Sequence, residues 1–142
     1  MPSITHKIVD LRTEGPVIEI TVTPSVHFLQ QMNISSDDTK FVKLLAMIDT
    51  GASKTVIKKG ITSYLEINPV GYTKMTTPSS TNVHCDDFNV QILFSKNIYI
   101  PSIVVTEAPL QGQHIQCLIG RDILKYGVFF YNGCENTFTI SF

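Results

Sequence analysis

The sequence has no long apolar run. Nothing in its 142 residues approaches the ~20 consecutive apolar residues of a membrane span. Its opening, Met1-Pro2-Ser3-Ile4-Thr5-His6-Lys7, is not a basic segment followed by an apolar stretch, so no secretory signal is read there. It also lacks a surplus of charge: 11 Lys and Arg stand against 12 Asp and Glu, the formal net charge is −1, and the cations are scattered. That leaves no electrostatic footprint for nucleic acid. Cysteine is scarce, and Cys85, Cys117 and Cys134 form an odd, widely spaced set without a C-x-x-C pair, which fits neither a disulfide framework nor a zinc site. None of His6, His27, His84 and His114 forms a ligand pair, and no Ser or Cys stands in a nucleophile-elbow context. The expectation is a cytoplasmic protein, one domain over 1–142, with reduced cysteines, no metal, no cofactor, and no nucleic-acid or membrane partner.

What is present reads as strand from end to end. Pro16 to Thr23 is β-branched with partial period-two alternation, and Pro24 ends it. A polar loop, Asn33 to Lys40, precedes a dense apolar run from Phe41 to Ile48 that stops at Asp49-Thr50-Gly51. Thr55-Val56-Ile57, Tyr72 to Met75, Phe88 to Phe94, Ile98 to Thr106 and Cys117 to Ile119 read as further strands, with a weak helix signal over Thr62 to Leu65. Pro78 places Thr76 to Thr81 at a hairpin tip or exposed edge. Gln111 to Gln113 reads as a loop, and Arg121 to Tyr126 as a short helix closed by Gly127. Val128 to Tyr131 and Thr137 to Phe142 flank the hairpin signal Asn132-Gly133. Many short strands separated by turn signals argue an all-β, closed, barrel-like domain.

Two matched corners carry the chemical information. In the first, Leu44 to Ile48 runs into Asp49-Thr50-Gly51-Ala52-Ser53; in the second, Leu118-Ile119-Gly120 runs into Arg121-Asp122-Ile123-Leu124. A carboxylate that follows five apolar residues is drawn toward the interior, where an unpaired charge is expensive. It persists if it is hydrogen-bonded or shares a proton with a neighbour. Thr50 offers a hydroxyl, Gly51 lets backbone amides come close, and Ala52 and Ser53 are small enough to leave room for a ligand. Taken alone, Asp-Thr-Gly reads first as an Asx-turn that merely closes a loop; the apolar run before it and the second corner about seventy residues later shift the balance.

The segment Leu45-Ala46-Met47-Ile48-Asp49-Thr50-Gly51-Ala52-Ser53 resembles the catalytic motif of retroviral-type aspartic proteases, and Leu118-Ile119-Gly120-Arg121-Asp122-Ile123-Leu124 resembles the second signature of that family. The solitary chain is also similar to small retropepsin-like proteins found outside retroviruses, in bacteria. The resemblance implies a closed six-stranded acid-protease barrel with one short helix after the second glycine corner. It implies Asp49 as the catalytic carboxylate, Thr50 as a lock between paired loops, and Gly51 as the close turn. Ala52, Ser53, Thr76, Thr77, Pro78, Ser79 and Ser80 would contact substrate, the last five as a flap. Gly120 would pack the second corner under the first, with Arg121 and Asp122 in a structural ion-pair network. Val56, Ile57, Ile103 and Val104 either line the specificity pocket or fill the core.

An acid dyad requires two carboxylates, and this chain has one Asp-Thr-Gly; Asp10, Asp37, Asp38, Asp86, Asp87 and Glu66 lie in polar contexts. A two-fold homodimer supplies the second Asp49. The expected function is therefore an aspartic endopeptidase that attacks peptide substrates with activated water. The alternative is a catalytically silent member that keeps the fold as a peptide-binding or interaction module. Three departures from the retroviral pattern stand out. The flap segment Thr-Pro-Ser-Ser-Thr is not glycine-rich, residues 1–14 form an added strand or arm, and the Asn132–Asn136 hairpin alters the terminal strand that retropepsins interleave between subunits.

Overall fold

The computed structural model describes residues 1–77, 80–110 and 114–142; at 77, 80 and 81 it describes the backbone alone. The fold is mostly β, as expected. Strands β2 (Val17–Pro24), β3 (Val42–Ile48), β4 (Val56–Lys58), β5 (Gly71–Thr77), β6 (Ser80–Leu93), β7 (Tyr99–Ala108) and β8 (Cys117–Ile119) form one sheet in the order β2-β3-β8-β4-β7-β6-β5. β6 also pairs with β2, Val22 opposite Ile92, which closes six of these strands into a barrel and leaves β5 hanging outside the circuit. Closure removes sheet edges that would otherwise present unpaired amides.

Period-two alternation explains how the barrel fills. Ile18, Ile20 and Val22 on β2 face inward with their partners Leu44 and Ala46 on β3 and with Val90 and Ile92 on β6, and all are buried. Cys117 and Ile119 complete the same layer, so the apolar run before Asp49 is a core strand by register. Burial pushes the Cys117 thiol up to about 12, leaving it an inert filler. β6 is longer than the sequence pattern suggests: Val83 and Phe88 to Leu93 belong to one strand, which stops before Phe94. The interruption expected at Pro101 is a bulge, since Val90 pairs with Ile103 while Ile92 pairs with Ile100, which gives Pro101 a place without a ladder donor.

Helix α4 (Arg121–Leu124) lies after the second corner, where it was expected, and α3 (Ile61–Leu65) covers the weak signal before it. Two further helices were not legible: α1 (Leu11–Glu14) and α2 (Val26–Gln31). Both are set by caps. Thr13 N donates to Asp10 Oδ1 while Asp10 N donates to Glu14 Oε2, a reciprocal box, and Phe28 N donates to Ser25 Oγ at 3.2 Å.

The N-terminal fourteen residues are bound into the structure. β1 (Ser3–Lys7) pairs with β10 (Thr137–Ser141), which pairs in turn with β9 (Val128–Asn132), giving a separate three-stranded sheet in the order β1-β10-β9. Asn136, in a left-handed turn at φ 54, accepts Ile8 N on its carbonyl and Leu11 N on Oδ1. Leu11 is fully buried in the cluster that holds Phe138 and Ile140. Leu11→Ala removes a core side chain without disturbing the caps, and is expected to cost ~3 kcal/mol. Urea unfolding, with an unchanged m-value, is the measurement that checks it.

Candidate active site

The two corners lock into each other. β3 and β8 run parallel, Ile48 opposite Ile119, and Asp49 N extends the ladder by donating to Ile119 O at 2.9 Å. The chain then turns: Gly51 N donates to Asp49 Oδ1 at 2.9 Å, and Ala52 N to Asp49 O at 3.2 Å. The carboxylate is half-buried and Thr50, Gly51 and Ser53 are exposed, so the loop presents the acid at a surface. From the second corner, Arg121 N donates to Ala52 O at 2.9 Å and Arg121 Nη1 to Thr50 O at 2.7 Å. The main-chain carbonyls of the Asp49 loop are thus held by one arginine.

Gly120 is required by close approach. A Cβ there would lie 2.7 Å from the carbonyl carbon of Lys54 and 2.8 Å from its oxygen, distances that only a backbone shift relieves. Beside it, Thr55 is fully buried. Its hydroxyl donates to Asp122 Oδ1 at 2.7 Å and accepts Gly120 N at 3.0 Å, while Thr55 N donates to Asp122 Oδ2 at 2.9 Å. Asp122 Oδ1 also accepts Ile123 N at 2.9 Å. Where an ion-pair network was expected at Arg121 and Asp122, the two side chains diverge. Arg121 reaches the first loop's carbonyls and Asp122 takes amide and hydroxyl donors, so among the described residues neither pairs with an opposite charge. The sequence pattern gives Thr55 only as a strand residue; a hydroxyl opening the buried triplet Thr55-Val56-Ile57 is the available signal for its second role.

Of the other sequence candidates, Val56 and Ile57 are core, Ile103 is half-buried, and Val104 is exposed on β7. Thr76 is exposed at the end of β5, and Thr77 pairs with Ser80 across the β5–β6 hairpin; Pro78, Ser79 and the loop at Gln111 to Gln113 lie outside the described residues. Because side chains two apart on a strand share a face, Leu45 and Met47 point to the side that Asp49 continues. Both line an open groove of about 830 Å³ with Val17, Ile115, Glu14 and His114, a feature that the one-dimensional pattern does not reveal.

Asp87 departs from the sequence reading, which places it with the acids in polar contexts. On β6 its neighbour Asp86 points outward to His84 Nε2 at 3.0 Å, while Asp87 points inward and is 8% exposed. Burial alone would raise its pKa, but hydrogen bonds from Thr106, Lys54 and Thr73, with the Lys54 charge, more than reverse this and hold it below the ordinary 3.8.

No family model matches the chain, and no curated protein matches it. Among solved structures, EIAV protease in an inhibitor complex is 21% identical, with 78% of this chain and 86% of that one covered and a TM-score of 0.49. A retropepsin-like aspartic protease from Rickettsia conorii is 18% identical, covering 87% and 90%, at 0.49. The retroviral protease-like domain of Ddi1 from Leishmania major is 14% identical, covering 84% and 83%, at 0.45.

Two outcomes follow from this geometry. Asp122→Ala strands the Thr55 amide and hydroxyl together with Ile123 N, and is expected to cost ~3 kcal/mol in chemical unfolding, against ~1 kcal/mol for exposed Asp38→Ala. Because folding lowers the pKa of Asp87, its contribution is complete above pH 3.8 and is lost as pH falls through the folded value. Asp87→Asn should therefore unfold at lower denaturant than wild type at pH 6, with the gap narrowing below pH 3.8.

Proposed function

We propose that the chain is an aspartic endopeptidase whose dyad is formed by Asp49 of two subunits. The observation that carries this reading is the held carboxylate. Asp49 ends a core strand, is half-exposed, accepts the Gly51 amide, and sits on a loop pinned by Gly120, Arg121 and Asp122 from a second corner. A surface Asx-turn has no need of such fastening. In the dimer the two carboxylates share a proton, because close like charges do not both ionise readily; aspartic proteases are the standard instance of that effect. One carboxylate takes a proton from water as it attacks the scissile carbonyl, and the protonated partner donates to the carbonyl oxygen. Water and not a side chain is the nucleophile, so no covalent enzyme intermediate forms. The proton taken from water then passes to the amide nitrogen as the C–N bond breaks, the other carboxylate takes a proton from the tetrahedral diol, and the dyad again holds one proton.

Other assignments follow the same reading. Thr50 locks the two loops to each other, Gly51, Ala52 and Ser53 form the floor, and residues 76–80 close over substrate. The groove flanked by Leu45 and Met47 takes an apolar side chain beside the cut bond. The dimer forms across the face shared by Thr50 and β9. Thr50, Arg121, Leu124, Lys125 and Phe129 line one open depression of about 400 Å³, and β9 pairs with β10 on one side only. On that edge strand Val128 is 56% and Phe130 60% exposed, an apolar strip of the kind a second copy covers.

The test compares wild type with Asp49→Asn against a mixed peptide library from pH 3 to 8, with a pepstatin-type inhibitor as control. Cleavage by wild type alone is expected, strongest on the acidic side, with the Asp49→Asn variant at least ~10³-fold slower. Light scattering on Phe130→Asp should show a shift toward monomer with parallel loss of cleavage. Peptide binding without cleavage, at concentrations where wild type is dimeric, would instead favour a binding module. Equal cleavage by wild type and Asp49→Asn would remove Asp49 from the chemistry.

A further inference from the structure

A buried polar cluster joins the Asp49 loop to the β5–β6 hairpin. Asp87 on β6 accepts Thr106 Oγ1 from β7 at 2.7 Å and Thr73 Oγ1 from β5 at 2.9 Å. Lys54 Nζ completes the set, 3.1 Å from Asp87 Oδ1 and 3.0 Å from Thr73 Oγ1. The hydroxyl of Thr73 can accept from the ammonium while donating to the carboxylate, so every polar atom in the cluster has a partner.

The position of Lys54 gives the cluster its interest. Lys54 follows Ala52 and Ser53 on the segment that carries Asp49, its carbonyl lies against Gly120, and its neighbour Thr55 is locked to Asp122. Its side chain does not stay with the strand it leads into. In the sheet order β4 and β5 are separated by β7 and β6, a path of ~14 Å at the usual strand spacing. The Lys54–Thr73 bond crosses that path directly over the curled face. β5 lies outside the closed circuit and its strand pairing is with β6. The barrel ladder therefore does not enclose the hairpin; the lysine fastens it alongside a small apolar cluster in which Met75, Val83 and Cys85 pack with Val56 and Ala108.

We propose that Lys54 and Asp87 are positioning residues of the candidate site: their ion pair fastens the β5–β6 hairpin to the Asp49 loop, so that hairpin placement and acid presentation are set together. Asp87 is buried but the Lys54 side chain is 36% exposed, so the pair adds modest net stability while its shared hydrogen bonds specify one geometry. Thr106 and Asp87 would suffice to hold β6 on β7; the lysine adds the link to the loop. The effect on catalysis rests on the peptidase reading, but the fastening itself does not.

Hydrogen exchange read by mass spectrometry tests the fastening, with every variant built on Asp49→Asn so that cleavage plays no part. In Asp87→Asn and Lys54→Met, segments 71–77 and 82–87 should exchange ~10-fold faster, a rise well above any in β2 and β3. Unchanged hairpin exchange would overturn the proposal, and so would an equal rise in every segment, which is the signature of general destabilisation. Thr73→Val removes the hairpin's own end of the Lys54 contact at a half-buried site, and must give the same local pattern if the buried variants fail to fold. With Asp49 intact, Lys54→Met should raise KM for a library-derived peptide ~10-fold with kcat within about twofold, because a loosened hairpin weakens substrate binding more than chemistry. A fall in kcat with KM unchanged would overturn the role in placing the hairpin. If wild type cleaves nothing, the peptidase reading fails and the exchange pattern alone decides the fastening.

Discussion

The contact of Gly120 with the backbone of Lys54 is the constraint on which the rest depends. Main chain against main chain at this distance leaves no room for a Cβ, so the second corner reaches the first only through glycine. Once there, the parallel ladder of β3 and β8 continues through Asp49 N, and Arg121 and Asp122 face the loop carbonyls and Thr55. A loop rich in small and hydroxylated residues would otherwise sample many states. Here both backbone groups of Asp49 and of Ala52, the Thr50 carbonyl and the Gly51 amide have named partners, and these hold the loop that carries the carboxylate.

The same interlock ties distant parts of the chain together. Thr55 belongs to the corner through Asp122 and to β7 through Thr106 N, which donates to Thr55 O at 3.2 Å. Lys54, one residue earlier, reaches Asp87 and Thr73. Two consecutive residues thus face two different networks, the alternation of an extended chain used to join a corner to a hairpin. At the other end of the molecule, β1, α1 and the β9–β10 hairpin form their own sheet around Asn136 and share the barrel's core through Leu11, Phe138 and Ile140. β1 pairs with β10 within the chain, which makes β10 the central strand and leaves β1 and β9 as the two edges of this sheet.

Much of this was legible before any coordinates. Partial period-two alternation identified β2, and continuous apolar runs identified β3 and β8, because a strand with one face in a barrel alternates and a core strand is apolar. Glycine and proline marked the turns, and the hairpin signalled by Asn132-Gly133 is present, with Asn136 and not Gly133 as its left-handed residue. The acid after an apolar run, with a second glycine corner, singled out Asp49, Gly120, Arg121 and Asp122. The two short helices at Leu11–Glu14 and Val26–Gln31 were not legible, since four to six residues carry too little periodicity and the caps are single side chains. Asp87 escapes a reading of composition because adjacent acids look equally polar, and only strand phase sends one outward and the other inward.

By itself, then, the sequence determined most of the strand segments and which carboxylate stands at the end of a core strand, since both depend on neighbours within a few residues. Which donors surround that carboxylate's loop, that Thr55 and Asp122 meet, that Lys54 finds Asp87, and that residues 1–14 join the last strands were decided only by tertiary structure. These contacts join positions as far apart as Leu11 and Asn136, and no local pattern encodes a pairing that exists only once the sheet has curled and closed.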